Sequence, residues 1–403
     1  MKVCIEKFDH QGRGLSHLND KVVFVRNALP GEEVDIVVEK ENKKIIEASV
    51  SEYIKLSDKR IEPKCPYYNL CGGCDLQHIS FEDELDYKKN KLLEIFKKFS
   101  GFDESILKPI VYIDKMGYRN KATFHVNNTI GYYGRKNNNI VSIDECLIVN
   151  EEINKILSVL GKMDLKNVYE VVVRCSFNTD DKMIVLKVNG KIDNKYFIDN
   201  LSSLCNTIVL YDKEYKTIYG SGYILEKLCD YTYKISGDSF FQVNTYTCEL
   251  LYKKVLEYLD ASKQDNVLDL YCGTGTIGIF VSRYVNHVFG VEINKNAIED
   301  ANYNKKINSI ANIDFKCLNA NLVDYEGYNK IIVDPPRSGL DEKTVNYLLN
   351  GNFDRIVYVS CDPVTLARDL NILKDKYNVL EITPVNMFER TYHIESVCAL
   401  ERK

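Results

Sequence analysis

The stretch NVLDLYCGTGTIG, residues 266–278, joins a short apolar run to a glycine-rich loop. Gly273, Gly275 and Gly278 form a GxGxxG pattern that follows the run and precedes an apolar helical segment. Such a loop is typical of doubly wound α/β sheets that bind a nucleotide-like cofactor, and by itself it fits NAD, FAD and S-adenosylmethionine alike. The stretch therefore predicts an α/β domain and leaves the cofactor open.

More apolar runs of strand length alternate with helical patterns through residues 231–403. They predict a mainly parallel, Rossmann-like sheet, whose ligands bind beyond the carboxyl ends of the strands. Glu292 ends the run GVEI, where a carboxylate can bind ribose hydroxyls. Asp334 opens the turn DPPR at the end of another run, and an acid-Pro-Pro turn is typical of nucleic-acid methyltransferases. We therefore favour S-adenosylmethionine over NAD.

The stretch YVSCDPVTLARDL, residues 358–370, places Cys361 at the end of the next apolar run. A lone cysteine is usually a buried structural thiol, but the polar flanks and Pro363 argue against burial here. Backbone N–H groups of a strand-to-helix turn favour a thiolate, so we expect the pKa of Cys361 to lie below its usual value of about 8.5. A thiolate can add to carbon 6 of a pyrimidine and make carbon 5 nucleophilic towards a methyl group.

This chemistry also needs a base that removes the proton from carbon 5, and TYHIESVCALERK supplies Glu395 as the candidate. Strand alternation predicts that His393 and Glu395 share one face of the last strand. Taken alone, a surface acid is the more frequent explanation for such a residue.

Cys65, Cys71 and Cys74 lie close together in CPYYNLCGGC, which indicates a metal site. Zinc and an iron–sulfur cluster both need a fourth ligand, for which Cys146 is the candidate. The spacing leaves the choice of metal open.

The sequence predicts three domains with bounds 1–56, 57–230 and 231–403. The first reads as a five-stranded OB-like barrel, a fold that binds oligonucleotides in some proteins and only packs against other domains in others. The second mixes a charged helical stretch with alternating strands and is predicted to be α+β. The third is the α/β domain described above.

Composition bounds the classes of function. The 403 residues carry a net charge of −5, so no overall basic field attracts nucleic acid. The 13 scattered cysteines indicate a reducing cytoplasm rather than a disulfide scaffold. We expect no membrane span, no signal peptide and a monomer. The basic pairs at 88–89, 97–98 and 135–136 are candidate phosphate contacts, although isolated pairs are more often solvated surface.

Together these motifs resemble the bacterial RNA uracil-5-methyltransferases, particularly the 23S ribosomal RNA branch, over nearly the whole chain. The N-terminal part resembles a TRAM domain, an RNA-binding OB-like barrel, and DSFFQVN, residues 238–244, matches the segment before the cofactor domain. The resemblance implies S-adenosylmethionine as methyl donor, a [4Fe–4S] cluster rather than zinc, and RNA as partner. It assigns the cofactor to Gln242, Tyr271, Gly273, Glu292 and Asp334, the cluster to Cys65, Cys71, Cys74 and Cys146, and catalysis to Cys361 and Glu395.

One segment departs from the family pattern, which usually reads Asp-x-Phe-Pro-x-Thr before the histidine. Here residues 386–391 read NMFERT. We expect the change to affect the loop and the uridine that is served. Two other functions stay open: the same chemistry on the T-loop uridine of transfer RNA, and a non-catalytic iron–sulfur protein that binds RNA.

Overall fold

The computed structural model describes residues 1–135 and 139–403, so Lys136 of the third basic pair lies outside the described residues. The chain forms two compact units. The first consists of Met1–Glu94, Tyr132–Val141 and Phe388–His393, and the second consists of Ile95–Gly131, Ser142–Met387 and Ile394–Lys403. The predicted division into three domains stays a prediction.

The first unit contains a six-stranded sheet, one strand more than the sequence indicated. Its strands are β1 (Lys2–Cys4), β2 (Lys7–Phe8), β3 (Gly14–Leu18), β4 (Lys21–Arg26), β5 (Glu33–Glu41) and β6 (Ile45–Lys55), in the order β1-β5-β6-β4-β3-β2. Alternate valines and isoleucines of these strands form a buried core. The alternation that predicted strands therefore places one face of the sheet inside, as expected for a half-buried sheet whose pairings are antiparallel except that of β4 with β6.

Helix α1 (Phe81–Phe99) follows the cysteine-rich segment. Its first turn is acidic and its last turn is basic, which complements the helix dipole. Inside the first unit, the Lys88 ammonium is fully buried and lies 2.7 Å from the Glu84 carboxylate. Lys88 also donates to the carbonyl of Phe388, so this lysine is part of the interior and the interpretation of Lys88 as a phosphate contact is wrong.

The first part of the second unit is a mixed sheet with the order β13-β12-β11-β10-β7, continued by the first residues of β8. Its core includes the fully buried residues Val171, Val173, Ile184 and Leu186. The bounds of the elements are β7 (Lys121–Val126), β8 (Ile130–Tyr133), β9 (Ile140–Ser142), α2 (Glu151–Leu160), β10 (Val168–Cys175), β11 (Lys182–Val188), α3 (Asn194–Leu201), β12 (Thr207–Asp212), β13 (Glu214–Tyr219), and the hairpin β14 (Tyr223–Leu228) and β15 (Tyr231–Ser236).

A second, seven-stranded sheet has the order β18-β17-β16-β19-β20-β22-β21. All of its pairings are parallel except those of β22, which runs antiparallel to both neighbours. Its strands are β16 (Asn266–Leu270), β17 (His287–Glu292), β18 (Ile313–Cys317), β19 (Lys330–Val333), β20 (Arg355–Ser360), β21 (Tyr377–Val385) and β22 (Glu395–Arg402). The inner strands are buried on both faces, which is why they read as unbroken apolar runs.

Helices connect these strands and confirm the prediction of an α/β sheet. The connecting helices are α5 (Thr276–Ser282), α6 (Lys295–Ile307), α7 (Glu342–Asn350), α8 (Pro363–Leu373) and a short 3-10 helix at Ala320–Leu322, whereas α4 (Thr245–Leu259) precedes β16 and another 3-10 helix, Glu104–Ile106, precedes β7. The strand order reverses direction at β16 and β19, and such a switch point forms a crevice at the carboxyl edge of the sheet. Among the described residues, no helix is both long and apolar enough to cross a membrane.

Candidate active site

The glycine loop begins at the carboxyl end of β16, at the switch point. Tyr271 has a φ of +63°, Gly273 of +53° and Gly275 of +79°, so the chain turns sharply between β16 and α5. A Cβ added at Gly275 would lie 2.5 Å from the Phe315 ring and one added at Gly273 would meet nothing within 4 Å. Gly275 is therefore needed for packing, whereas Gly273 leaves its side of the loop open.

A narrow cleft opens beside this loop and is lined by Gln242, Asp269, Tyr271, Gly273 and Asp334, among others. The sequence predicted four of these five as cofactor residues, and the structure brings them together. Asn120 fixes the segment that carries Gln242, because its side-chain amide donates to the Gln242 carbonyl at 2.9 Å. The predicted cofactor residues at the carboxyl edge of β16 therefore form one site.

Glu292 stands at the carboxyl end of β17, the strand that pairs with β16. Its carboxylate accepts a hydrogen bond from the N–H of Asn294 at 2.9 Å, which holds it at the start of α6. This is the position the sequence predicted for it.

Asp269 was missed by the assignment of site residues from sequence. It is 1% exposed, and neither carboxylate oxygen has a hydrogen-bond partner within the described chain. Burial, followed by repulsion from Asp334, raises the pKa of Asp269 to about 8, although the nearby N–H of Gly278 opposes the change. The signal was visible in NVLDL: a carboxylate inside a strand that is otherwise apolar needs a partner.

Cys361 and Glu395 are brought together by strand register. Ser360 of β20 pairs with Ser396 of β22, and the next positions along these antiparallel strands are Cys361 and Glu395. Val333 of β19 pairs with Tyr358, so Asp334 follows at the same edge. Cys361 is partly buried and Glu395 is 4% exposed. The predicted nucleophile and base therefore lie next to each other, one strand from the acid-Pro-Pro turn.

The electrostatics at Cys361 differ from the expectation. Burial, followed by the negative charges of Glu395 and Asp334, raises the pKa of the Cys361 thiol to about 12, and Arg337 only partly opposes this. The prediction of a lowered pKa is therefore wrong for the free protein. The N-terminal turn of α8 is instead capped by the Asp362 carboxylate, which accepts from the N–H groups of Val364 and Thr365 and adds another negative charge.

Two carboxyl groups share this edge and hold protons unusually tightly. Burial and the charge of Asp334 raise the pKa of Glu395 to about 8, with Arg337 acting in the opposite direction. Burial raises the pKa of Asp334 to about 7. A buried carboxyl whose pKa lies near neutrality is suited to proton transfer. Arg337 is the second residue that the sequence assignment missed, although it is the last residue of DPPR.

His393 does not share a strand with Glu395. Strand β22 begins at Glu395, and His393 belongs to the segment Phe388–His393 of the first unit, with its ring 4.1 Å from that of Tyr392. The prediction of a common face is therefore wrong.

The predicted metal ligands divide between the units. Cys65, Cys71 and Cys74 are partly buried cysteines of the first unit, and Cys146 is a partly buried cysteine of the second. The N–H of Gly73 lies 3.4 Å from the sulfur of Cys71. In the portion of the chain that is described, no group of three or more His, Cys, Asp or Glu side chains is arranged to hold a metal ion. The metal site stays a prediction.

The parallel sheet, its switch-point glycine loop and the acidic residues at the strand ends define an α/β methyltransferase of the type that uses S-adenosylmethionine. A family model described as tRNA (Uracil-5-)-methyltransferase matches residues 80–324 and 314–403, and a TRAM domain model matches residues 1–50. The chain belongs to this RNA uracil-5-methyltransferase family, which confirms the resemblance seen in the sequence.

Individual relatives agree with this placement. An uncharacterized RNA methyltransferase of Staphylococcus aureus is 34% identical over 435 residues, covering 98% of this chain and 96% of the relative. Another, from Halalkalibacterium halodurans, is 34% identical over 445 residues, covering 100% and 97%. The crystal structure of the Pyrococcus abyssi tRNA (uracil-54, C5)-methyltransferase in complex with S-adenosyl-L-homocysteine superposes with a TM-score of 0.79 at 28% identity, covering 99% of this chain and 100% of that one.

Proposed function

We propose that this protein transfers a methyl group from S-adenosylmethionine to carbon 5 of a uridine in 23S ribosomal RNA, through a covalent bond between Cys361 and the uracil ring. The observation that carries the proposal is the pairing of β20 with β22, which sets Cys361 opposite Glu395 at the edge that holds the glycine loop. A thiol, a base and a cofactor loop are the parts that this reaction needs.

The residues around the cleft fit the methyl donor. The open side of Gly273 allows close approach of a ligand to the backbone, and the carboxylate of Asp269, which has no hydrogen-bond partner among the described residues, suits the ammonium group of a bound amino acid. We assign Gln242, Tyr271, Gly273, Glu292 and Asp334 to the same donor, as the sequence predicted. When bound, S-adenosylmethionine supplies an electrophilic methyl group on a sulfonium.

The protein's own groups carry out the remaining steps. Cys361 releases its proton to solvent water and its sulfur adds to carbon 6, so that the ring electrons move to the carbonyl oxygen at carbon 4. Carbon 5 then takes the methyl group, and Glu395 removes the remaining proton from carbon 5. The electrons of that C–H bond restore the double bond between carbons 5 and 6 and expel the Cys361 thiolate. A base with a pKa of about 8 holds this proton more firmly than an ordinary glutamate would.

The test uses RNA that carries 5-fluorouridine, whose fluorine cannot be removed as a proton. With S-adenosylmethionine present, we expect a covalent protein–RNA adduct that resists denaturation and is absent from the Cys361→Ala variant. A variant at an unrelated free thiol, Cys317→Ala, should form the adduct as the wild type does. An adduct that survives Cys361→Ala, or its absence from the wild type, would overturn the mechanism.

Transfer RNA is the second candidate substrate, and one observation favours it: the structural relative with a TM-score of 0.79 is a transfer RNA uracil-54 methyltransferase. Mass-spectrometric mapping of methylated uridines in both RNAs, with and without the gene, separates the two. Loss of 5-methyluridine from the T-loop alone would replace ribosomal RNA by transfer RNA. Loss from neither, together with no calorimetric binding of S-adenosylmethionine, would support the inert RNA-binding alternative.

For the sequence-predicted domains we propose that residues 1–56 bind RNA, that residues 57–230 carry the metal site and that residues 231–403 hold the methyl donor. The match of a TRAM model to residues 1–50 supports the first assignment. We also propose a monomer that works in the cytoplasm, and the 13 scattered cysteines fit a reducing compartment. Sedimentation measurements test the oligomeric state.

We propose further that Cys65, Cys71, Cys74 and Cys146 hold a [4Fe–4S] cluster. Three cysteines within ten residues offer soft sulfur ligands suited to iron and sulfide, and an N–H beside a cysteine sulfur, as Gly73 offers to Cys71, is a feature that tunes such clusters. Protein purified without oxygen should be brown and contain iron and sulfide. A colourless protein with stoichiometric zinc would refute the assignment.

A further inference from the structure

The loop of residues 336–340, which carries Arg337, is fastened to the helix that follows the nucleophile. The Thr365 hydroxyl lies 3.2 Å from the carbonyl oxygens of Arg337 and Asp362 and shares its one hydrogen between these acceptors. The Arg368 guanidinium donates to the carbonyls of Ser338 and Leu340 at 3.0 and 3.1 Å. Helix α8 therefore holds the backbone of this loop through three hydrogen bonds.

Asp369 joins this arrangement to the strand that leads to Cys361. Its carboxylate is fully buried and accepts from the N–H of Leu340 at 2.9 Å and from the Tyr358 hydroxyl at 2.7 Å. The Arg368 guanidinium donates to its other oxygen at 2.8 Å. Gly339 fits closely against both groups, because a Cβ there would lie 2.6 Å from Arg368 Nη2 and 2.7 Å from Asp369 Oδ2. One carboxylate thus fixes strand, helix and loop relative to one another.

Arg337 depends on this support. Its side chain is exposed, and within residues 1–135 and 139–403 its guanidinium makes no hydrogen bond or ion pair. The position of its charge is therefore determined by the backbone of the loop. A shift of this backbone would move the charge away from Cys361 and Glu395, and the attraction between charges falls with distance and with screening by solvent.

We propose that Thr365, Arg368 and Asp369 are positioning residues, which fix the loop of residues 336–340 so that the Arg337 guanidinium faces Cys361 and Glu395. The inference rests on the proposed function, because it gives Arg337 the task of stabilising the Cys361 thiolate. It gives a role to three residues after the nucleophile that lie outside the cofactor cleft.

The groups around Cys361 are mostly acidic, and the Arg337 cation opposes their effect on the thiol. Glu395 of β22, Asp334 at the end of β19 and Asp362 of the capping turn all raise the pKa of the thiol, and Arg337 opposes them. Arg337 also opposes the rise in the pKa of Glu395. Bound RNA adds phosphate charge of the unfavourable sign, so a thiolate needs a fixed positive charge nearby.

The experiment measures the reactivity of Cys361 in the full-length protein without RNA or methyl donor. Iodoacetamide alkylation is followed against pH between 7 and 10, and the peptide that contains Cys361 is quantified by mass spectrometry. At pH values below the pKa of the thiol, the fraction of thiolate falls about tenfold for each unit by which that pKa rises. We expect alkylation to slow about tenfold in Arg337→Gln and about threefold in Arg368→Ala and Asp369→Asn, with partial recovery in Arg368→Lys.

The control is Arg402→Ala, another partly exposed arginine, which pairs with Asp354 away from the site. In this variant, Cys361 should be alkylated at the wild-type rate. Should Arg368→Ala lower the melting temperature and yet keep the wild-type alkylation profile, the role is structural only and the proposal is overturned. Wild-type alkylation in Arg337→Gln would overturn it as well. If the 5-fluorouridine adduct does not form but Arg368→Ala still slows the alkylation of Cys361, the proposed function is refuted and the positioning role of Arg368 is retained.

Discussion

Replacing Glu395 by glutamine should make the protein more stable at high pH while abolishing turnover. The wild-type carboxyl has a pKa of about 8 in the folded protein, against about 4.3 in an unfolded chain. The folded state therefore binds this proton more tightly, and the stability that the proton contributes is complete below about pH 4 and is lost as the pH rises through about 8.

The size of the effect follows from the difference in pKa. A shift of about 3.7 units at 1.36 kcal/mol each amounts to about 5 kcal/mol, of which roughly 1 kcal/mol is already lost at pH 5. Glutamine does not titrate and keeps a neutral group beside Asp334. Relative to the wild type, Glu395→Gln should thus gain about 4 kcal/mol in free energy of unfolding between pH 5 and pH 9.

Urea denaturation of both proteins at pH 5 and pH 9 measures this difference. Glu401→Gln is the matched control, because Glu401 lies on the same strand with a side chain that is 49% exposed. Its stability relative to the wild type should hardly change with pH, since exposed charges interact weakly. If Glu395→Gln shows the same stability difference from the wild type at pH 5 and pH 9, Glu395 titrates normally and the reasoning about the site fails.

Three further outcomes are expected. The rate at which the methylated covalent intermediate breaks down to product should rise with pH and level off above about 8, as Glu395 becomes the carboxylate that accepts a proton; this step follows the addition of Cys361, and a flat profile between pH 6 and 9 would contradict the assignment. Asp269→Asn should weaken calorimetric binding of S-adenosylmethionine about ten- to hundredfold, the value of a charged hydrogen bond, and unchanged affinity would exclude the assigned contact. Gly275→Ala should cost about 2–5 kcal/mol in free energy of unfolding through its positive φ and its clash with Phe315, whereas Gly327→Ala, with a φ of +83° and open space, should cost only about 1–2 kcal/mol; equal losses would refute the packing argument.

The α/β sheet could be predicted from sequence because its inner strands are buried on both faces. Runs such as those of β19 and β20 are apolar at nearly every position, and a glycine loop marks where the first strand ends. The number of strands in the N-terminal sheet was harder to predict, because the two-residue strand β2 is too short to show an alternating pattern.

Motifs suggest that Cys361 and Glu395 act together, but local patterns do not establish that they are neighbours. Their proximity depends on β22 inserting antiparallel between β20 and β21, which is a property of the whole sheet. The direction of the pKa change of Cys361 was wrong for a related reason. Local sequence indicated a helix N-terminus, whereas burial and the two carboxyl groups from distant segments decide the protonation.

The inner position of β22 has a consequence for motion. A strand bonded on both sides can exchange its amide hydrogens with solvent only when the sheet opens, so the amides of Ser396 and Val397 should be among the slowest to exchange deuterium. The base Glu395 thus lies on a strand that we expect to open rarely. We therefore expect any motion that admits a nucleotide to involve other parts of the site, such as Phe240, which lines the cleft and is 67% exposed.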